Sequence, residues 1–122
     1  MSPAKMARIE SCTRTVIDLL TAYNQHDIPS LLTFLSPDCI LETASPAPDG
    51  TTLKGSNAIS SHLQDLFAQN PDLKLEIENI FGQAFHVVIR WQQVGGEAPL
   101  RGVDIFKFRG EQLSEWLRYV KR

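Results

Sequence analysis

Apolar positions in the first half of the chain recur every three to four residues, and in the second half every other residue. After Ser2-Pro3, an N-cap followed by a proline that a first helical turn tolerates, Ile9, Val16, Ile17, Leu20 and Tyr23 share one face. This spacing predicts a helix over 3–25. Asp27 is placed to cap a short second helix with Leu31, Leu32, Phe34 and Leu35 turned inward, and Ser36-Pro37 stops it. Residues 38–43 (DCILET) read as a strand. The stretch 44–55, ASPAPDGTTLKG, reads as a loop because proline and glycine punctuate it. Ser56 is the expected cap of a third helix whose Ile59, Leu63, Leu66 and Phe67 fall at i, i+4, i+7 and i+8, before Asn70-Pro71 ends it. Four alternating segments follow, near 73–81, 84–94, 98–108 and 113–120, with Gly95-Gly96 as a two-residue hairpin turn.

Helices first and strands later is the pattern of an α+β domain with its helices on one face of a bent antiparallel meander. At 122 residues, 43% hydrophobic and 21% charged, the chain is sized and composed for one folded domain spanning 1–122. A net charge of -2 lacks the positive excess that nucleic-acid binding exploits, so nucleic acid is not an expected partner. No apolar run approaches the ~20 residues of a membrane span, and the first residues lack a signal-peptide core. A cytoplasmic protein without a membrane partner is the expectation. Cys12 and Cys39 have neither CxxC nor Cys/His spacing, so both are expected reduced, Cys39 as a small buried hydrophobe.

Alternation assigns the strand faces. If Gly95-Gly96 is the turn, Val94 pairs with Glu97, Trp91 lies opposite Leu100, and Val87 opposite Asp104. Leu100, Gly102, Asp104, Phe106 and Phe108 then share the concave face with Val87, Ile89 and Trp91. Asp104 becomes a carboxylate among apolar groups, which is costly unless paired or protonated. Joining Phe108 to Ser114 across RGEQL sets Arg118 opposite Asp104 and Trp116 opposite Phe106, so Arg118 is the expected partner. Such a pair is either a structural ion pair or an anchor for a polar substituent of a ligand. Tyr23 can present its hydroxyl to the same space, and His62, beside Leu63 and Leu66, can approach from the opposite wall as acid or base; its plainer role is a hydrogen-bonded residue at the edge of the helix stripe. Glu42 is expected outward or towards the loop, although a one-residue register shift would bring it inside, and His26 and His86 are expected at the surface. Residues 44–55 are either the rim of the pocket or a plain connector.

The order helix, helix, strand, loop, helix, four strands, with AYNQHDIPSLLTFLSPDCILE early and LRGVDIFKFRGEQLSEWLRYV late, resembles SnoaL-like proteins of the nuclear transport factor 2 superfamily. The most specific pieces are Asn24-x-x-Asp27, Leu35-Ser36-Pro37-Asp38, and Arg101-Gly102-Val103-Asp104 followed by aromatic residues. The resemblance implies a cone-shaped half barrel, three helices on a strongly curved, mostly antiparallel sheet, often dimeric through the outer face of the sheet. Among the ketosteroid isomerases of that superfamily, Asp104 matches the oxyanion-hole aspartate. Their general base falls at Thr43 and their tyrosine donor at Leu19, and neither replacement can do the original job. The epoxide hydrolase pattern also fails, because its acidic residue falls at Arg118.

The fold hosts isomerases, cyclases, dehydratases and carriers without chemistry, so function must come from the site. One expectation is acid/base catalysis on a small apolar carbonyl compound by Asp104, His62 and Tyr23, with Trp91, Phe106, Trp116, Arg118, Thr43 and Leu19 lining the substrate. The other is a binding or dimerisation module with the same cavity. With no metal-ligand spacing, dinucleotide loop or nucleophile elbow, no bound cofactor or metal is expected. Outward-facing Val88, Val103, Ile105, Leu117 and Tyr119 form an apolar patch that predicts a homodimer, sheet to sheet.

Overall fold

The computed structural model describes residues 2–96 and 100–121. Helices α1 (Pro3–Asn24), α2 (Ile28–Leu32) and α3 (Ser56–Gln69) pack on one sheet of strands β1 (Leu35–Glu42), β2 (Thr52–Lys54), β3 (Lys74–Gln83), β4 (His86–Val94), β5 (Arg101–Arg109) and β6 (Gln112–Lys121). The strand order is β2-β1-β6-β5-β4-β3, parallel only between β1 and β6, and the sheet is curved and open. Val16, Leu20, Leu31, Ile59 and Leu63 from the helices meet Cys39, Val87, Ile89, Phe106 and Leu113 from the sheet in one buried core.

Local chemistry explains most boundaries. The Ser2 hydroxyl accepts from the Lys5 amide at 3.2 Å and starts α1; the Asp27 carboxylate accepts from the Ser30 amide at 3.2 Å and starts α2. Between them Asn24 acts as a mock strand, donating to the Leu75 carbonyl and accepting from its amide, both at 2.9 Å, which ties the end of α1 to β3.

Several expectations need correction. The stretch 44–55 is not all loop, because Thr52–Lys54 pairs antiparallel with β1. Ser56 does not cap α3: Gly55, at φ 92°, occupies that position and its amide donates to the Cys39 carbonyl at 2.8 Å, so backbone pairing with β1 replaces a side-chain cap. His26 is no surface residue. Its ring stacks on Phe67 at 4.0 Å, and Nε2 lies 2.7 Å from the Leu73 carbonyl oxygen. His86 is exposed.

The β4–β5 register differs from expectation by two residues. Ile89, not Val87, faces Asp104, and Trp91 faces Gly102. The Gln93 amide donates to the Leu100 carbonyl at 2.8 Å, so the connection is longer than Gly95-Gly96. The expected partner Glu97 lies outside the described residues. A shift of two keeps every side chain on its face, so the expected concave set stays inside. In the β5–β6 hairpin, Asp104 pairs with Arg118 and Phe106 with Trp116 as expected, but a bulge after Lys107 pairs Phe108 with Leu113 rather than Ser114.

Candidate functional site

The concave face ends in a cavity of about 200 Å³ between α1, α3 and the sheet. Tyr23 of α1, His62, Leu63 and Leu66 of α3, Leu41 of β1, and Trp91, Trp116, Arg118 and Val120 of the sheet line it, with Thr43, Ala44 and Ser45 at the rim.

Asp104 lies beneath this cavity at 0% exposure. Its Oδ1 accepts from Trp91 Nε1 at 2.8 Å and Arg118 Nε at 3.0 Å; its Oδ2 accepts from Trp116 Nε1 at 2.9 Å and an Arg118 terminal nitrogen at 2.8 Å. Four N–H donors fill both oxygens. Asp104 therefore has neither surface nor lone pair for a substrate, and the direct proton transfer expected of it gives way to holding Arg118 and two indoles in place. The bidentate pair with Arg118 matches the expected partnership. The indole donors were not anticipated.

Gly102 makes this arrangement possible. A Cβ there would overlap the Trp91 ring, so only glycine opposite Trp91 lets the indole lie over β5 and reach Asp104 diagonally.

The Arg118 side chain is 16% exposed and turns its remaining edge towards the cavity. Burial works against its charge, but the attraction of Asp104, supported by Tyr23, outweighs burial and raises its pKa, so the guanidinium stays protonated. One terminal nitrogen donates to the Tyr23 hydroxyl at 3.3 Å. The guanidinium carbon lies 5.0 Å from the Trp91 ring, 5.5 Å from Tyr23 and 5.7 Å from Trp116. Three of its five N–H groups thus have partners among the described residues, leaving one on each terminal nitrogen. The Tyr23 hydroxyl accepts from Arg118, and its own proton has no partner among the described residues.

His62 is half-buried on the opposite wall. Burial first, and the nearby Arg118 charge second, lower its pKa from the ordinary 6.5, with Asp65 opposing in part. The ring is therefore neutral at physiological pH. Because the unfolded ring protonates first, His62 withdraws stability as pH falls below about 6.5 and contributes no pH dependence well above it.

The other expected lining residues divide. Trp91, Trp116, Arg118 and Thr43 border the cavity, whereas Leu19 and Phe106 are buried in the core. Phe106 acts at one remove, its ring 5.6 Å from that of Trp116. The Thr43 hydroxyl is engaged with its own loop, donating to the Ser45 carbonyl at 2.9 Å and accepting from the Thr51 amide at 3.1 Å. Glu42 lies outside this cavity, beside the outer face of the 44–49 segment. Cys39 is fully buried, which pushes its thiol up to about 12 and leaves it protonated. Among the described residues no group of three His, Cys, Asp or Glu is arranged to hold a metal, and no helix is long and apolar enough to cross a membrane.

No protein of curated function matches the chain. Among solved structures, an NTF2-like protein of unknown function from Mesorhizobium loti is 25% identical, with 94% of each chain covered and a TM-score of 0.82. A putative SnoaL-like polyketide cyclase from Jannaschia is 16% identical over 99% of this chain and 90% of its own, with a TM-score of 0.83. A hypothetical protein of ketosteroid isomerase-like fold from Catenulispora acidiphila, in complex with trimethylamine, is 19% identical over 86% and 83%, with a TM-score of 0.76. These three share the fold. The SnoaL-like domain model matches residues 16–116, from the middle of α1 to Trp116 in β6, and the chain therefore belongs to the SnoaL-like family.

Proposed function

We propose that the chain binds a small apolar carbonyl compound in this cavity and moves a proton at the carbon beside the carbonyl, as an isomerase, cyclase or dehydratase of the SnoaL-like kind. The observation that carries the proposal is the imbalance of the polar groups: two Arg118 N–H groups and the Tyr23 O–H have no acceptor among the described residues, while the Asp104 oxygens are filled. A ligand completes this site with an acceptor. The positive end of a ligand has no place, because the ring faces of Tyr23, Trp91 and Trp116 already surround the chain's own guanidinium. Trimethylamine, held by the Catenulispora protein, is accordingly not a ligand expected here.

Neutral His62 serves as the base. The C–H bond beside the carbonyl breaks, its proton forms an N–H bond on the imidazole, and the electron pair moves into a C=C bond as the carbonyl oxygen becomes an enolate. Arg118 and Tyr23 stabilise that oxygen, and His62 returns the proton to the same or a conjugated carbon. Hydrogen–deuterium exchange of 2-cyclohexen-1-one in D2O, followed by NMR, tests the reading. Exchange faster than in protein-free buffer is expected; binding without exchange would make the chain a carrier.

A second copy of the chain is the proposed partner. Phe81, Val88, Ile105 and Leu117 are successive register neighbours across β3, β4, β5 and β6, forming an apolar row on the outer face, with Tyr119 56% exposed beside it. Sedimentation at micromolar concentration should give a dimer; a monomer would contradict this assignment.

A further inference from the structure

The size of the cavity narrows the ligand further, on the footing of the binding reading above. Pockets for drug-sized ligands span about 300–1,000 Å³, and an apolar cavity of about 150 Å³ holds benzene. At about 200 Å³ the space within the walls of this open-mouthed cavity accommodates one six-membered ring and a few further atoms.

The segment that follows β1 limits the size on one side. Beyond Thr43 and Ala44 lies a second cavity of about 230 Å³, lined by Pro48, Asp49 and Tyr119 among others. Thr43, Ala44, Arg118 and Val120 border both cavities, so the wall between them is built from the 43–44 segment on one side and β6 on the other. The wall is latched. The Thr43 amide donates to the Thr51 carbonyl at 2.9 Å, the Thr51 amide to the Thr43 hydroxyl at 3.1 Å, the Thr51 hydroxyl to the Ser45 carbonyl at 3.0 Å, and the Gly50 amide to the Pro46 carbonyl at 2.7 Å. Gly50, at φ 74°, lies so close to the Thr43 carbonyl that a Cβ would overlap it. The segment 43–51 therefore closes on itself only with glycine at 50.

We propose that the cavity is a single-ring site, specific for a one-ring compound with an acceptor oxygen, and that the latched segment Thr43–Thr51 enforces the limit by sealing off the second cavity. Forcing a further ring against a latched wall is overpacking, which converts to a loss of affinity of about tenfold or more.

The chain's two tryptophans both line the cavity, so their fluorescence reports occupancy. Titration with 2-cyclohexen-1-one, 2-tetralone and a four-ring steroid ketone should show the one-ring ketone binding at least about tenfold more tightly than 2-tetralone, and no saturation by the steroid. In Gly50→Ala the gap between one and two rings should narrow, because the wall is displaced. If that variant fails to fold, Thr51→Val, which removes one latch bond from an exposed position, should narrow it less. Equal or tighter binding of 2-tetralone by the unaltered chain overturns the size limit while leaving the binding reading intact. Binding of none of the three overturns both. An unchanged gap in folded Gly50→Ala and Thr51→Val overturns the role of the segment.

Discussion

Asp104→Asn should destabilise the protein by about 3–5 kcal/mol, the range for removing one member of a buried ion pair. The carboxylate is fully enclosed and meets four N–H donors. An asparagine offers one acceptor oxygen and turns an NH2 group towards donors, so at least one indole or guanidinium N–H loses its partner, and the Arg118 charge loses its counter-ion. Arg118→Met carries a similar loss for the opposite reason, leaving the carboxylate with the indoles alone. In the double variant, Asp104→Asn with Arg118→Met, no charge remains buried. Its loss should fall short of the sum of the single losses by about 0.5–3 kcal/mol in urea unfolding. Recovery should be partial, because Trp91 and Trp116 still present two donors to one acceptor. Additive losses would show that the two residues are not coupled.

The fold was legible because its signals are local and repeated. Helical spacing marks α1 and α3, period-2 alternation marks the sheet, and Asn24 and Asp27 mark the junction between α1 and α2, whereas the expected stop at Ser36-Pro37 is wrong: α2 ends at Leu32, and Leu35, Ser36 and Pro37 already belong to β1. Asp104 and Arg118 could be paired because the turn at Gly110 lies only a few residues from both strands, and the bulge that absorbed the error is confined to its own end of the hairpin. The β4–β5 turn was not legible: two adjacent glycines mimic a two-residue hairpin, and nothing local signals the longer connection. That error hid the Trp91 indole bond; the Trp116 bond escaped notice although its register was right. With Trp91 opposite Leu100 its indole would lie too far along the strand, whereas opposite Gly102 it reaches Asp104 diagonally, as Trp116 does from the other side. The role of Asp104 thus moved from chemistry to support, a change set by side-chain direction that alternation alone does not resolve. β2 escaped notice because three residues make too short a pattern to stand out among prolines and glycines.

With Asp104 enclosed, the proposed proton transfer rests on His62. His62→Gln keeps a polar side chain of similar size but provides no base, so exchange of 2-cyclohexen-1-one should fall by about 10²–10⁴-fold. Binding should weaken far less, because Arg118 and Tyr23 still receive the oxygen. The pH profile of the unaltered chain follows from the same ring: burial and Arg118 lower its pKa below the ordinary 6.5, so the neutral base persists into mildly acidic solution. Exchange should hold nearly level as pH falls to about 6.5 and decline only below it. The most direct measurement is therefore the exchange rate of this ketone in D2O, compared between the unaltered chain and His62→Gln across pH 5 to 8. A large loss in the variant, with a decline in the unaltered chain only below about pH 6.5, is the predicted result; equal rates in both proteins would contradict it.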